Sequence, residues 1–218
     1  KMNKITKMLC TLVALFGLTT ASNAGFLGNP YVEVGASAVG VELAGNHNDD
    51  AGSVTTGAVG KTAVTGSYGL GTILGSGKFS LDLGFTMTPG AAKLATKSTA
   101  VNKTDVSFEI DGMNELHIAP VLNISEDAKL YLKFGWADAD VKVVGDVTKP
   151  TSMDGETVAI GTIMSWGSRM YIRTEAGMTE YDTLTVTGLG SASGVPTSET
   201  VTAAPEVHYG KISIGFKF

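Results

Sequence analysis

The chain has 218 residues, with 16 Lys and Arg against 21 Asp and Glu. Residues 1–24 hold Lys1, Lys4 and Lys7 and no acid, so the remainder carries 13 bases against 21 acids, a net charge of −8. That balance excludes a nucleic-acid partner, whose phosphates need clustered Lys and Arg, and the one cysteine, Cys10, excludes a disulfide framework or thiolate zinc site after residue 24.

At the start, Lys4 and Lys7 precede an apolar run from Met8 to Leu18 and then the small residues Thr19 to Ala24. This pattern predicts a secretory signal peptide cut after Ala24. The run is about half of the ~20 residues that a spanning helix needs. Cys10 stands near the opening of the run, where a lipid-anchor cysteine would close it. Residues 25–218 then form the predicted mature domain, rich in Gly, Thr, Ser and Ala, a composition suited to a β protein with many turns. No later apolar run is long enough for a membrane helix, so such a domain can cross a bilayer only as a closed barrel.

Alternating segments follow in order. The first strand is predicted from about Tyr31 to Leu43, with Val32, Val34, Ala36 and Ala38 on one face and Glu33, Gly35 and Ser37 on the other. A polar loop is expected from Ala44 to about Gly60. The second strand, near Thr62 to Leu74, groups Val64, Tyr68, Leu70 and Leu74, and Gly75-Ser76-Gly77 marks a tight hairpin. In the third strand Phe79, Leu81, Leu83, Phe85 and Met87 alternate with Ser80, Asp82, Gly84 and Thr86. After a loop from Pro89 to about Lys103, the fourth runs from Thr104 to Ile124. Val106, Phe108, Ile110, Leu116, Ile118 and Leu122 share one face, with Ser107, Glu109, Asp111, Glu115, His117 and Asn123 opposite.

The turn Ser125 to Ala128 leads into a fifth strand, about Lys129 to Val144, where Leu130, Leu132, Phe134 and Trp136 oppose Tyr131, Lys133, Gly135 and Ala137. A loop from Gly145 to Gly155 separates it from the sixth, Glu156 to Trp166. The seventh, Arg169 to Tyr181, sets Met170, Ile172, Ala176 and Met178 against Tyr171, Arg173, Glu175 and Gly177. The longest loop is expected from Asp182 to about Pro205. The eighth strand, VHYGKISIGFKF, ends the chain with Ile212, Ile214, Phe216 and Phe218 on one face.

Eight strands joined by connections that alternate long and short predict an all-β, eight-stranded antiparallel up-and-down transmembrane barrel. Alternation alone does not say which face looks outward. The polar face is small, with Gly35, Ser37, Ser67, Gly69, Gly84, Gly177 and Gly215, which suits the narrow interior of an eight-stranded barrel. It also carries Glu33, Asp82, Glu109, Lys133, Arg173, Glu175 and Lys211. A base on the lipid face at the bilayer midplane costs about 2–4 kcal/mol, so these seven are predicted to form a paired lumen network. Phe79, Trp166 and Phe218 lie near the inferred periplasmic ends of their strands, where an aromatic girdle meets the headgroups.

The blocks Tyr31 to Ala36, Leu130 to Val141, Tyr171 to Asp182 and the ISIGFKF ending together resemble the small porin-like outer-membrane barrels, including the opacity proteins and the OmpA and OmpX transmembrane domains. The resemblance implies a Gram-negative outer-membrane location and contact with outer-membrane lipids. It also implies that the strand bearing Ile212, Ile214, Phe216 and Phe218 is a signal for the barrel assembly machinery. Such a family has no common chemistry. The residues predict a monomer with a structural or surface-interaction role, a mostly blocked polar lumen and an unidentified surface ligand. The alternatives are a small porin for ions or solutes and, after that, a lipid-modifying enzyme. No spacing of His47, His117 or His208 brings a nucleophile, base and acid together, so no catalytic residue is assigned. No cofactor or metal is expected either: the carboxylates of Asp49 and Asp50 match no EF-hand spacing.

Overall fold

The computed structural model describes residues 28–49, 51–90, 93–95, 107–145, 147–189 and 199–218. The expected leader at residues 1–24 lies outside them, as do Asp50, Val106 and parts of the loops expected at Pro89–Lys103 and Asp182–Pro205.

Ten antiparallel strands are present among the described residues: β1 (Asn29–Asn48), β2 (Val54–Leu74), β3 (Phe79–Thr88), β4 (Lys93–Ala95), β5 (Ser107–Asn123), β6 (Ala128–Val144), β7 (Ser152–Trp166), β8 (Met170–Tyr181), β9 (Leu184–Thr187) and β10 (Thr200–Lys217). Eight of them make a ring in the order β1, β2, β3, β5, β6, β7, β8, β10. The ring closes where β10 pairs with β1, from Tyr31 opposite Lys217 up to Asn48 opposite Thr200. Closure leaves the ring without the unpaired edge that an open sheet would expose. The two extra strands are short: β4 pairs with β5 and β9 with β10.

One end of the barrel has tight turns, after β2, β5 and β7. Gly75 and Gly167 stand in two of them at φ of 91° and 73°, a backbone region in which a side chain is strained. At the other end the strands run further than the sequence suggests. Most of the loop expected at Ala44–Gly60 is a continued β1–β2 ladder, closed by a turn in which Asp49 accepts hydrogen bonds from the N–H groups of Ala51 (3.0 Å) and Ser53 (2.7 Å). Pro205, expected in a loop, is inside β10. It falls between the stretch paired with β8 and the stretch paired with β9, a gap in that edge where proline is tolerated.

The two faces are chemically distinct. Outside, Val34, Phe79, Ile160, Trp166 and Ile212 are each more than half exposed, and Val32, Phe134 and Ile214 nearly so. Inside lie buried charges, hydroxyls and tyrosines. Burying charge while exposing aliphatic side chains is the reverse of a water-soluble barrel and matches a wall immersed in hydrocarbon. Where the apolar band ends toward the long loops, four outward glutamates face one another across adjacent strands: Glu42 opposite Glu206, Glu206 opposite Glu180, and Glu180 opposite Glu156.

β5 departs from strict alternation. Its register with β6 shifts between Ile110 and Met113, and Gly112 has φ of 103°. This bulge puts Ile110 and Met113 on the same inner side, because both oppose inward residues of β6, Val141 and Ala139. Parity therefore reverses above it, and Glu109 pairs in register with Lys142 on the outer side. The expectation that Glu109 lines the lumen is corrected by the bulge, since one extra residue turns every side chain beyond it to the opposite face.

Candidate functional site

The interior of the barrel has three levels. Nearest the tight turns, Tyr31, Ile73, Ala119, Val121, Tyr131, Ile163 and Tyr171 pack as one buried cluster. Tyr31 and Tyr171 meet edge to face, with ring centroids 5.8 Å apart. Their size is accommodated by glycines on neighbouring strands. A Cβ on Gly161 would strike the Tyr131 ring and one on Gly215 the Tyr171 ring. The small inner residues of the sequence are thus sockets for particular large ones.

The middle level holds the charges. Arg173, fully buried, reaches across the lumen from β8 to Asp82 on β3, with Nη2 2.7 Å from Oδ2. Its Nε lies 3.4 Å from Glu33 on β1. The guanidinium is also within 6 Å of the Tyr31, Tyr131 and Tyr171 ring centroids, at 5.0, 5.1 and 5.8 Å, a cation held by ring faces as well as by carboxylates. Tyr31 donates to Asp82 (2.8 Å) and Tyr171 to Glu33 (3.2 Å), so both carboxylates have a second partner.

A second group sits beside the first. Lys133 on β6 bridges Glu175 (2.6 Å) and Glu115 (2.7 Å). Lys211 on β10 lies 3.4 Å from Glu33 and 3.6 Å from Glu175 and so joins the two groups. Tyr131 and Tyr209 donate to Glu175 at 2.7 and 2.9 Å. His117 closes the ring of contacts, 3.5 Å from Glu115 and 3.9 Å from Asp82. It fits only because residue 84 is glycine: a Cβ there would come within 2.6 Å of the imidazole.

Of the seven lumen residues named from sequence, Glu33, Asp82, Lys133, Arg173, Glu175 and Lys211 meet in this network, and Glu109 stands outside it. Glu115 and His117 belong to the network but were not on that list. So do four tyrosines, 31, 131, 171 and 209. Their inward parity is the sequence signal that could have found them, since a lipid-facing girdle needs the other face.

The third level, toward the long loops, is apolar. Val39, Val41, Ile110, Ala139, Val141, Val143, Met153, Leu184, Val186 and Val207 form one buried cluster inside the wall. Nothing in the predicted alternation distinguishes this half of the lumen from the charged one. Together the three levels obstruct the interior between the two mouths.

No family model and no curated protein matches the chain. Similar solved structures include OprG from Pseudomonas aeruginosa, an outer membrane protein that is 12% identical over 90% of this chain and 99% of its own, with a TM-score of 0.52. The fold is that of the outer-membrane β-barrels. Further likenesses are to Ail, the attachment invasion locus protein of Yersinia pestis, at 12% identity over 88% of this chain and 100% of its own (TM-score 0.45), and to the outer membrane protease OmpT from Escherichia coli, at 8% over 92% and 100% (TM-score 0.49). At such identities the likeness concerns architecture alone, and one fold of this kind hosts unrelated activities.

Proposed function

We propose that the chain works in the bacterial outer membrane as a monomeric barrel with a structural or surface-contact role, closed to the passage of solutes and without catalytic activity. The observation that carries this reading is Arg173 tied to Asp82 and Glu33 across the full width of the lumen, with an apolar layer stacked beyond it. Ions in such a site are costly to desolvate unless paired and hydrogen-bonded, and removing one partner strands the other. An open pore would need these pairs apart and wet; an eight-stranded barrel has room for side chains and little else.

The surface supports the rest. Lipid tails are the natural partner of the exposed band, and Phe216 and Phe218, stacked edge to face at 5.5 Å, sit at its lower margin with Ile212 and Ile214 above them. In this reading the assembly machinery recognises that closing strand. Of the three histidines, His117 is sealed in the lumen away from any substrate, while His47 and His208 pair with Glu199 and Glu206 on the outer half. Any surface ligand therefore meets the long-loop end, whose exposed faces are rich in Thr, Ala, Gly and acids.

Planar-bilayer recording on the purified barrel tests the proposal. The expected trace is flat, apart from brief small events. Large, stable single-channel steps that persist at both polarities would replace the closed reading with the small-porin one.

A further inference from the structure

Just above the ion network, where β3 stops at Thr88, the lumen holds a chamber of about 50 Å³. Its walls include Thr86, Glu115, Lys133, Tyr181, Tyr209 and Lys211. One buried oxygen among them, Thr86 Oγ1 on a residue only 8% exposed, lacks a hydrogen bond from the protein, and Glu115 Oε1, paired with the Lys133 ammonium at 2.7 Å, has a second lone pair to offer. A buried polar atom without a partner is uncommon in native proteins and calls for one.

We propose that this chamber is a hydration site holding a small cluster of ordered waters bonded to Thr86 Oγ1, Glu115 Oε1 and the Tyr209 hydroxyl. A buried water needs about 10–15 Å³ of this kind of space and two to four polar neighbours, so the chamber has room for roughly three. The charges on its wall cancel, with Glu115 and Glu175 facing Lys133 and Lys211, which favours a neutral occupant over an ion. Thr88, Met113 and Asn114 are half-buried and line one side, so water reaches the site from the outer end. Below it, the tyrosine and arginine level is closely packed. The lumen is then closed to flow yet wet on its outward side. This goes beyond the closed-barrel reading and does not depend on the protein's role.

Radiolytic hydroxyl footprinting of the folded barrel in micelles, read by mass spectrometry, tests it. Tyr181 lines the chamber and is buried, at 7% exposure, whereas Tyr131 and Tyr171 lie outside it at 2% and 1%. Hydration predicts that Tyr181 is modified several-fold faster than the other two. Equal protection of all three would overturn the proposal. Thr86→Val, nearly the same shape, gives a second reading. In a dry chamber it deletes an unsatisfied hydroxyl and raises the melting temperature, which would also overturn the proposal. In a hydrated one it deletes a bonded group, and the melting temperature stays level or falls.

Discussion

The middle and the outer half of the lumen are enclosed by the same strands, yet they are held closed by different means. In the middle each group depends on named partners: Arg173 on Asp82 and Glu33, Lys133 on Glu115 and Glu175, and a tyrosine hydroxyl on each of three carboxylates. In the outer half Val39, Ile110, Val141 and Val207 meet by shape alone. The comparison teaches that one barrel stores directional, all-or-none interactions at one depth and graded packing at another. A substitution in the middle should strand a charge. One in the outer half should leave a gap that neighbours partly fill.

The largest effect is expected where that contrast is sharpest. Arg173→Met keeps bulk and removes the charge, leaving Asp82 and Glu33 buried beside an apolar chain, and should cost about 3–5 kcal/mol in urea unfolding from micelles. A cost no greater than that of an ordinary packing change would erase the distinction between the two levels. Next comes Ile110→Val in the apolar layer. Removing one buried methylene should cost about 0.5–1.5 kcal/mol, read in the same titration. A cost as large as that of Arg173→Met would mean the outer half is as tightly specified as the middle.

The smallest effect lies outside the wall and has the opposite sign. Glu180 stands between Glu156 and Glu206 in register, and like charges directly opposite one another destabilise a sheet. Glu180→Gln should therefore stabilise the barrel by about 0.2–1 kcal/mol, less at high salt because exposed charges are screened. A loss of stability at low salt would show that the glutamate row has a partner that this picture omits.

Much of this architecture was legible in the sequence, and the reasons are physical. A side-chain period of two survives through the strand segments that carry Glu33, Asp82, Lys133, Arg173, Glu175 and Lys211, so their inward positions follow from counting. Counting fails at Glu109 because Asp111 and Gly112 interrupt β5, and alternation carries no mark of where an extra residue has been inserted. Strand lengths beyond the apolar band also differ from the pattern's expectation. The stretch Ala44–Gly60 is polar and glycine-rich, as a loop would be, but residues 44–48 pair with 54–58 across the turn and with 200–204 far along the chain, and that distant pairing is not visible in local composition. The tyrosines are a different case: alternation places Tyr131 and Tyr171 on the inner face, but it does not reveal that Tyr31, Tyr131, Tyr171 and Tyr209 bond carboxylates there.

The assignment of the two faces is tested most directly by scanning β10 with single nitroxide labels, a step made simple because Cys10 is the chain's one cysteine and lies in the expected leader. In bilayers, labels at His208, Gly210, Ile212, Ile214 and Phe216 should show high collision rates with oxygen, which dissolves in lipid, and those at Tyr209, Lys211, Ser213 and Gly215 low ones, giving a clean period of two. Oxygen contact that peaks at the odd positions, or that shows no period at all, would contradict a barrel with its charges inside and its apolar side chains in lipid.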